Sequence, residues 1–160
     1  SSGTMYNGTY TASLGSLQVP NGTATLTVKA YDQRGAVSTA TYALPINNPD
    51  SINPQLTVSA PTSGKYYDIG SWVVVNAGAN DNIGIWKVES YLNGVLVPSS
   101  TRYGGLPYFV SVKLTALGMN RMTVKAYDFA GNIASATVIV YTRDPNSKLP
   151  PDGSGDQTSP

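Results

Sequence analysis

Residues 26–44 read LTVKAYDQRGAVSTATYAL, and residues 122–140, which lie 96 positions later, read MTVKAYDFAGNIASATVIV. Nine of the nineteen paired positions are identical. Each stretch holds two runs of alternating apolar and polar residues around a turn that contains glycine, which is the pattern of a β-hairpin. A repeat at a fixed distance indicates tandem modules, so we interpret the chain as repeat units. We call residues 26–44 the first repeat and residues 122–140 the second repeat.

The two repeats differ in the sequence that precedes them. About 70 residues of strand-patterned sequence lead from Pro54 to the second repeat, whereas 25 residues precede the first. Residues 1–46 are therefore predicted to hold only the last three strands of a module, the first of them at Tyr10–Leu14. Half of a sandwich buries too little apolar surface to be stable alone, and its open strand edges favour pairing. We expect strands from another polypeptide to complete it.

The rest of the chain divides by composition. Residues 47–53 form a short linker that is stiffened by proline. Residues 143–160 form a tail rich in Pro, Gly and Ser. Between them, residues 54–142 are predicted to be one complete module.

Apolar and polar side chains alternate with a period of two through residues 54–142. On the run from Val73 to Ala79 every second residue is apolar, and the run ends in the polar loop at Asp81. With the short apolar segment Val95–Val97, seven strands are predicted, at Leu56–Val58, Val73–Ala79, Val88–Leu92, Val95–Val97, Tyr108–Val112, Met122–Ala126 and Val138–Val140. Short strands at this spacing predict an all-β fold, an immunoglobulin-like antiparallel β-sandwich.

The composition argues against several classes of function. The chain contains no Cys and no His, so it lacks thiol chemistry, the commonest general base and the commonest transition-metal ligand. The net charge of +1 gives no electrostatic footprint for nucleic acid. No apolar stretch approaches the ~20 residues of a membrane helix, so membrane insertion is not expected. We expect a protein that is not an enzyme.

Four motifs carry a resemblance to a known family. They are the proline-led first strand at Pro54, ANDNIG at 79–84, KVESYLNG at 87–94 and VKAYDFAGN at 124–132. Residues 54–142 thereby resemble the bacterial immunoglobulin-like modules of secreted subtilases, glycoside hydrolases and adhesins. The resemblance implies an extracellular or cell-surface location. Such modules serve as spacers, substrate-binding accessories and assembly units alike, so the fold leaves the function open.

Four polar residues form a candidate calcium site at one pole of the complete module. In an immunoglobulin-like topology the loops that hold Asp81 and Asp128 emerge at the same end, and the linker brings Asp50 there. Asn132 lies in the same loop as Asp128, and carboxylate and amide oxygens are ligands that calcium prefers. The alternative is that these residues only form turns. The replacement of Asn132 by Ala36 in the first repeat favours a structural role for the aspartate.

Strand parity also predicts an outward surface of large side chains, which comprises Trp72, Val74, Tyr91, Tyr127, Ile139 and Tyr141. We favour a protein interface over sugar binding, because Trp72 lies among glycine and valine rather than among the polar donors that hold a saccharide. The alternative is a set of scattered surface tyrosines, which needs no functional explanation. Trp86 falls on the inward parity and is expected to be a core residue near the rim of the module.

These observations predict a non-catalytic extracellular structural module, a processed piece of a larger secreted protein. We expect it to assemble with other protein chains through β-strand complementation, either by self-association or with a partner that completes residues 1–46. Repeated head to tail, this contact gives a filament or sheath. The alternative is a carbohydrate-binding or spacer module of a secreted hydrolase, with polysaccharide as the ligand. No cofactor is expected unless the acidic residues bind calcium.

Overall fold

The structure is a computed structural model that describes residues 19–104 and 107–147. These residues form eleven β-strands and no helix. The strand expected at Tyr10–Leu14 and the tail beyond residue 147 lie outside the described residues. Within them, no helix has the length and apolar character needed to span a membrane. In chain order the strands are β1 (Gly22–Tyr31), β2 (Val37–Ile46), β3 (Gln55–Ala60), β4 (Tyr66–Asp68), β5 (Trp72–Asn80), β6 (Ile85–Leu92), β7 (Val95–Leu96), β8 (Arg102–Tyr103), β9 (Tyr108–Lys113), β10 (Gly118–Asp128) and β11 (Ile133–Arg143).

The two repeats fold into the same hairpin. Strands β1 and β2 form a two-stranded antiparallel sheet, which we call the first hairpin. It pairs Val28 with Ala40, and the second hairpin, β10 with β11, pairs the equivalent Val124 with Ala136. The repeat in the sequence is therefore a repeat in structure, down to the register of the strands.

The second hairpin belongs to a sandwich of two sheets. One sheet has the strand order β3-β5-β9, and the other has the order β4-β11-β10-β6-β7, with β8 beside β6. Neighbouring strands run antiparallel except for β4, which pairs in parallel with the end of β11. The predicted immunoglobulin-like antiparallel β-sandwich is confirmed.

The core of the sandwich follows the alternation of the sequence. On β5 every second residue from Val73 to Ala79 is buried, whereas Trp72 and Val74 are exposed. Burying a large aliphatic side chain contributes about 1.5–3 kcal/mol to the free energy of folding, so the buried face of β5 stabilises the module. The buried apolar residues are Val73, Val75, Ala77, Ala79, Ile85, Val88, Tyr108, Val110, Val112, Leu114, Met122, Val124, Ala126 and Val140.

Two features of the sandwich differ from the sequence-based expectation. Strands β4 and β8 were not predicted, because runs of three and two residues are too short to show a period. Trp86 is not in the core. It is partly exposed, and its ring lies 6.2 Å from that of Tyr103 and 6.5 Å from that of Tyr127. A β-bulge where β6 meets the end of β10 shifts the parity and places Ile85 in the core instead.

Candidate interaction surfaces

The first hairpin presents an apolar face that no described residue covers. Val28 is 45% exposed and Tyr42 is 57% exposed, whereas the equivalent of Val28 in the second hairpin, Val124, is 1% exposed. The hairpins share their register, so the difference comes from what packs over them. In the sandwich, the sheet β3-β5-β9 covers the face that the first hairpin leaves open.

The first hairpin also has an open edge. Strand β10 pairs with β11 on one side and with β6 on the other, whereas β1 pairs with β2 alone among the described strands. The second edge of β1 therefore offers backbone N–H and C=O groups that pair with no strand among the described residues. Such an edge is a template for pairing with another strand.

The structure brings the predicted acidic residues together at one pole of the sandwich. One carboxylate oxygen from each of Asp50, Asp81 and Asp128 lies within 4.8 Å of the others. Asp128 is fully buried at the end of β10, and the other two are partly exposed. We call these three residues, together with Asn132, the acidic pole.

Asn132 connects the members of the acidic pole. Its Nδ2 donates to Oδ2 of Asp128 at 2.7 Å and lies 3.3 Å from Oδ2 of Asp50. The same amide nitrogen lies 3.2 Å from the carbonyl oxygen of Asp50 and 3.1 Å from that of Ile52. Asn82 Nδ2 donates to Oδ1 of Asp50 at 3.1 Å. Two amides thus fix the linker to the loops of the module.

Asp128 forms the turn of its hairpin. Its Oδ1 accepts hydrogen bonds from the backbone N–H groups three and four residues later, at 2.6 Å and 2.8 Å. Asp32, its equivalent in the first hairpin, accepts from the N–H groups two and four residues later, both at 2.8 Å. The turns also share a glycine in the left-handed region, Gly35 at φ +83° and Gly131 at φ +98°. The turn-forming role proposed as the alternative therefore applies to Asp128.

Asp81 has an oxygen that the turns leave unused. Its Oδ1 accepts from the N–H of Ile83 at 3.0 Å, but its Oδ2 is buried without a hydrogen-bond partner. A buried carboxylate oxygen without a donor is costly. Together with the carboxylates of Asp50 and Asp128, the Asp81 carboxylate forms a set of hard oxygen ligands that fits a divalent cation of the calcium type.

Sequence reasoning missed two residues that join the first hairpin to the sandwich. Asn21 donates its backbone N–H to the carbonyl of Phe129 at 3.0 Å and its Nδ2 to the carbonyl of Ala130 at 2.9 Å. Its Oδ1 accepts the N–H of Asn48 at 2.5 Å. Asn48 is buried, and its Nδ2 donates to the carbonyls of Val19 at 2.7 Å and Phe129 at 3.3 Å. We call Asn21 and Asn48 the asparagine joint.

The predicted outward surface is split between the two sheets. On the six-stranded sheet Tyr91, Tyr127, Ile139 and Tyr141 are only partly exposed, because neighbouring side chains cover them. The ring of Tyr141 stacks on that of Tyr66 with centroids 5.2 Å apart. This part of the surface is a row of packed rings and not an open apolar patch.

A buried carboxylate lies within this row. Glu89 accepts from Lys87 Nζ at 2.7 Å and from the Tyr91 hydroxyl at 2.8 Å. Burial alone opposes ionisation, but these hydrogen bonds and the charge of Lys87 outweigh it and lower the pKa of Glu89 below its usual value. Burial, together with Tyr91 and Glu89, raises the pKa of Tyr127. Glu89 therefore stays ionised as a structural group that ties β6 side chains together.

Trp72 and Val74 lie on the other sheet and remain open. Trp72 is 67% exposed, and Lys113, its partner across the strands, places Nζ 6.0 Å from the indole ring. Beside them is a groove of about 520 Å³ between the edges of the two sheets. Its lining comprises Trp72, Leu92, Asn93, Val95, Leu96, Val97, Pro98, Ser111, Val112, Lys113 and Thr115.

Several solved structures superpose on part of this chain at low sequence identity. The fibronectin(III)-like modules of Clostridium thermocellum CbhA give a TM-score of 0.49 at 20% identity, over 55% of this chain and 94% of theirs. The endo-beta-1,4-mannanase from Thermotoga petrophila gives 0.48 at 15% identity, over 59% of this chain and 21% of the enzyme. The PKD domain of an M14-like peptidase from a Thermoplasmatales archaeon gives 0.43 at 18% identity, over 57% of this chain and 94% of the domain.

Sequence comparisons give a family and a relative. Residues 54–126 match the family model of the bacterial Ig domain. Chitinase Chi52 of Paenibacillus xylanexedens is 34% identical over 107 residues, which cover 67% of this chain and 19% of the chitinase. The chain thus spans about a fifth of the length of this curated relative. The resemblance to bacterial immunoglobulin-like modules is confirmed.

Proposed function

We propose that this chain, in which residues 54–126 match the bacterial Ig domain family, is a non-catalytic extracellular module that works by packing against other polypeptides. The observation that carries the proposal is the contrast between the two hairpins. Val28 is 45% exposed where Val124 is 1% exposed, although the two lie in the same register. Exposed apolar faces and open strand edges are features of interaction sites.

The mode of packing that we propose is β-strand complementation. A foreign strand pairs with the open edge of β1, and its apolar side chains cover the open face of the first hairpin. The strand comes from a second copy of the chain or from a separate partner. Where every copy receives a strand from the next, the contact is heterologous and propagates into a filament or sheath.

The similarity to part of a bacterial chitinase supports the extracellular setting. The chain has no cysteine, and only 12% of its residues are charged. This composition is compatible with a sheet-rich surface protein, but it does not by itself indicate an extracellular location. The proposal therefore rests on the hairpin, and the location rests on the relative.

Light scattering after size-exclusion chromatography tests the proposal on the full chain. We expect the mass to rise with concentration, or to rise on addition of a strand-donating partner, and hydrogen exchange at the amides of β1 to slow at the same time. Val28→Asp places a charge on the open face and should abolish both effects, while Thr41→Asp, at an exposed position on the opposite face of β2 and away from the open edge, serves as the matched control. A monomer at every concentration, with unprotected β1 amides in the presence of every partner tried, contradicts the proposal.

A second candidate function is binding of polysaccharide. Trp72 favours it, because its exposed ring lies in a groove beside the ammonium group of Lys113 and the hydroxyl groups of Ser111 and Thr115. A pull-down with insoluble chitin tests it, since the relative is a chitinase. Retention that Trp72→Ala removes and Tyr103→Ala preserves supports this candidate. If the chain is not retained on chitin, the remaining candidate functions are a spacer and the assembly module.

We also propose that the acidic pole binds calcium. The ligands would be carboxylate oxygens of Asp50, Asp81 and Asp128, together with a backbone carbonyl. Asn132 would contribute its amide oxygen only after its side-chain amide rotates, because Nδ2 now faces the carboxylates. The buried, unpartnered Oδ2 of Asp81 supports this assignment. A bound calcium ion would offset two of the three negative charges and hold the linker at Asp50 against the loops of the sandwich.

A further inference from the structure

The identities between the two repeats are concentrated on one strand. Six of the nine lie in a single run, TVKAYD, at residues 27–32 and 123–128. In the sandwich this run of β10 is the part that pairs with β6. The first hairpin therefore retains, residue for residue, the strand surface that β6 contacts in the second.

Two rings and two ammonium groups cross between β6 and β10. The Nζ of Lys87 lies 4.5 Å from the ring centroid of Tyr127, and the Nζ of Lys125 lies 4.9 Å from that of Tyr91. Lys125 is also the register partner of Glu89. Each strand thus presents a cation to an aromatic ring of the other, which is a directional and charge-specific contact.

The first hairpin keeps its half of this arrangement. Lys29 and Tyr31 are the equivalents of Lys125 and Tyr127, and both are exposed, Tyr31 at 69%. Neither makes a cation–ring contact with any other residue in ranges 19–104 and 107–147. An aromatic and a cationic group are therefore presented at this strand edge with no complementary group in the described part of the chain.

We infer that the open edge of β1 binds an antiparallel strand with the residue chemistry of β6, supplied by another polypeptide. The register of β6 on β10 transfers directly: a cation lies opposite Tyr31, a carboxylate opposite Lys29 and an aromatic residue opposite Thr27. On the inner face, the strand places an apolar residue opposite Ala30, a small one opposite Val28 and an apolar one opposite Leu26. This inference rests on the proposed function and names the partner strand.

A peptide with the sequence of residues 84–94 tests the inference. It is titrated into the full chain labelled with ¹⁵N, and amide shifts and hydrogen exchange are measured. We expect changes at the amides of β1 and protection of residues 26–31. The matched control is the same peptide with Lys87→Glu and Glu89→Lys, which has the same composition and net charge. It should bind at least about tenfold more weakly, because the cation opposite Tyr31 becomes an anion and the carboxylate opposite Lys29 becomes a second cation.

A charge reversal in the protein completes the test. The Lys29→Glu variant should bind the natural peptide weakly and bind the peptide with Lys87→Glu and Glu89→Lys more tightly. An edge that pairs with any strand, without preference for its side chains, would bind both peptides equally. Binding at β1 with this exchange of preference supports the inference. If neither peptide protects β1, or if both bind alike, the inference is wrong. If the chain then assembles in light scattering with β1 protected, the proposed strand complementation holds and the partner strand is a different one. If the chain stays monomeric, the proposed function and this inference are both wrong.

Discussion

Val28 and Val124 occupy the same position in two hairpins of identical register, and yet the first is 45% exposed and the second is 1% exposed. The local sequence is therefore sufficient to specify the hairpin and its turn. Burial is specified by the strands that lie outside the hairpin. This separation makes the function of the first hairpin accessible to mutation, because its face contributes little to the fold of the sandwich.

The first prediction compares these two valines. Val124→Ala should lower the free energy of unfolding of the sandwich by about 2 kcal/mol, because two buried methyl groups are lost and a cavity remains. Val28→Ala should change it by less than about 0.5 kcal/mol. Chemical denaturation followed by tryptophan fluorescence measures both, since Trp72 and Trp86 are the two tryptophans and both belong to the sandwich. Equal losses would show that the first hairpin shares the cooperative core.

The second prediction concerns the acidic pole. Roughly 5 mM calcium should raise the melting temperature by several degrees, because a dissociation constant of about 0.1 mM, in the range of extracellular modules, stabilises by about 2 kcal/mol. Asp81→Asn should abolish this rise while its Oδ1 still accepts from Ile83. The matched control is Asp32→Asn, which alters the equivalent turn of the first hairpin, where no carboxylate cluster exists among the described residues. Identical melting temperatures in calcium and in a chelator would exclude the metal.

The fold was largely predictable because its signal is periodic. The alternation from Val73 to Ala79 identified β5 and its buried face, and the immunoglobulin-like topology was sufficient to expect Asp81 and Asp128 at one pole. Parity counting predicts Trp86 as a core residue near the rim, because it assumes an unbroken strand. A β-bulge adds one residue and reverses the parity beyond it.

The asparagine joint could not be predicted for a different reason. Asn21 and Asn48 lie outside any strand pattern, and their partners Phe129 and Ala130 are some 80 to 110 residues away in the chain. Asparagine in a loop has the same local signature whether it caps its own turn or reaches a distant carbonyl. Only the arrangement of the two hairpins in space distinguishes these roles.

The third prediction follows from the lowered pKa of Glu89. A carboxyl whose pKa is lower in the folded state stabilises the protein above its unfolded pKa of about 4.3, and this contribution is lost as the pH falls through the folded value. Glu89→Gln should cost about 1–3 kcal/mol at neutral pH and flatten the pH dependence of stability below about 4.3. Denaturation curves between neutral and acidic pH measure both effects.

A matched control for Glu89 is the exposed ion pair of Asp68 and Arg143, whose side chains are both 48% exposed. Asp68→Asn should cost less than about 1 kcal/mol, because water screens the pair. If the two substitutions change the acid limb of the stability curve equally, the hydrogen bonds from Lys87 and Tyr91 do not set the protonation of Glu89.

The last prediction tests whether the asparagine joint holds the first hairpin against the sandwich. Asn48→Ala removes the two hydrogen bonds of Nδ2 and leaves the carbonyls of Val19 and Phe129 without this donor, at a cost of about 1–3 kcal/mol to the joint. The hairpin should then reorient independently, so ¹⁵N relaxation should give shorter correlation times for β1 and β2 than for the sandwich. Asn47→Ala, at an exposed neighbour, is the control. Unchanged correlation times in Asn48→Ala would mean that Asn21 and the linker suffice, and that the pose offered to a partner strand does not depend on Asn48.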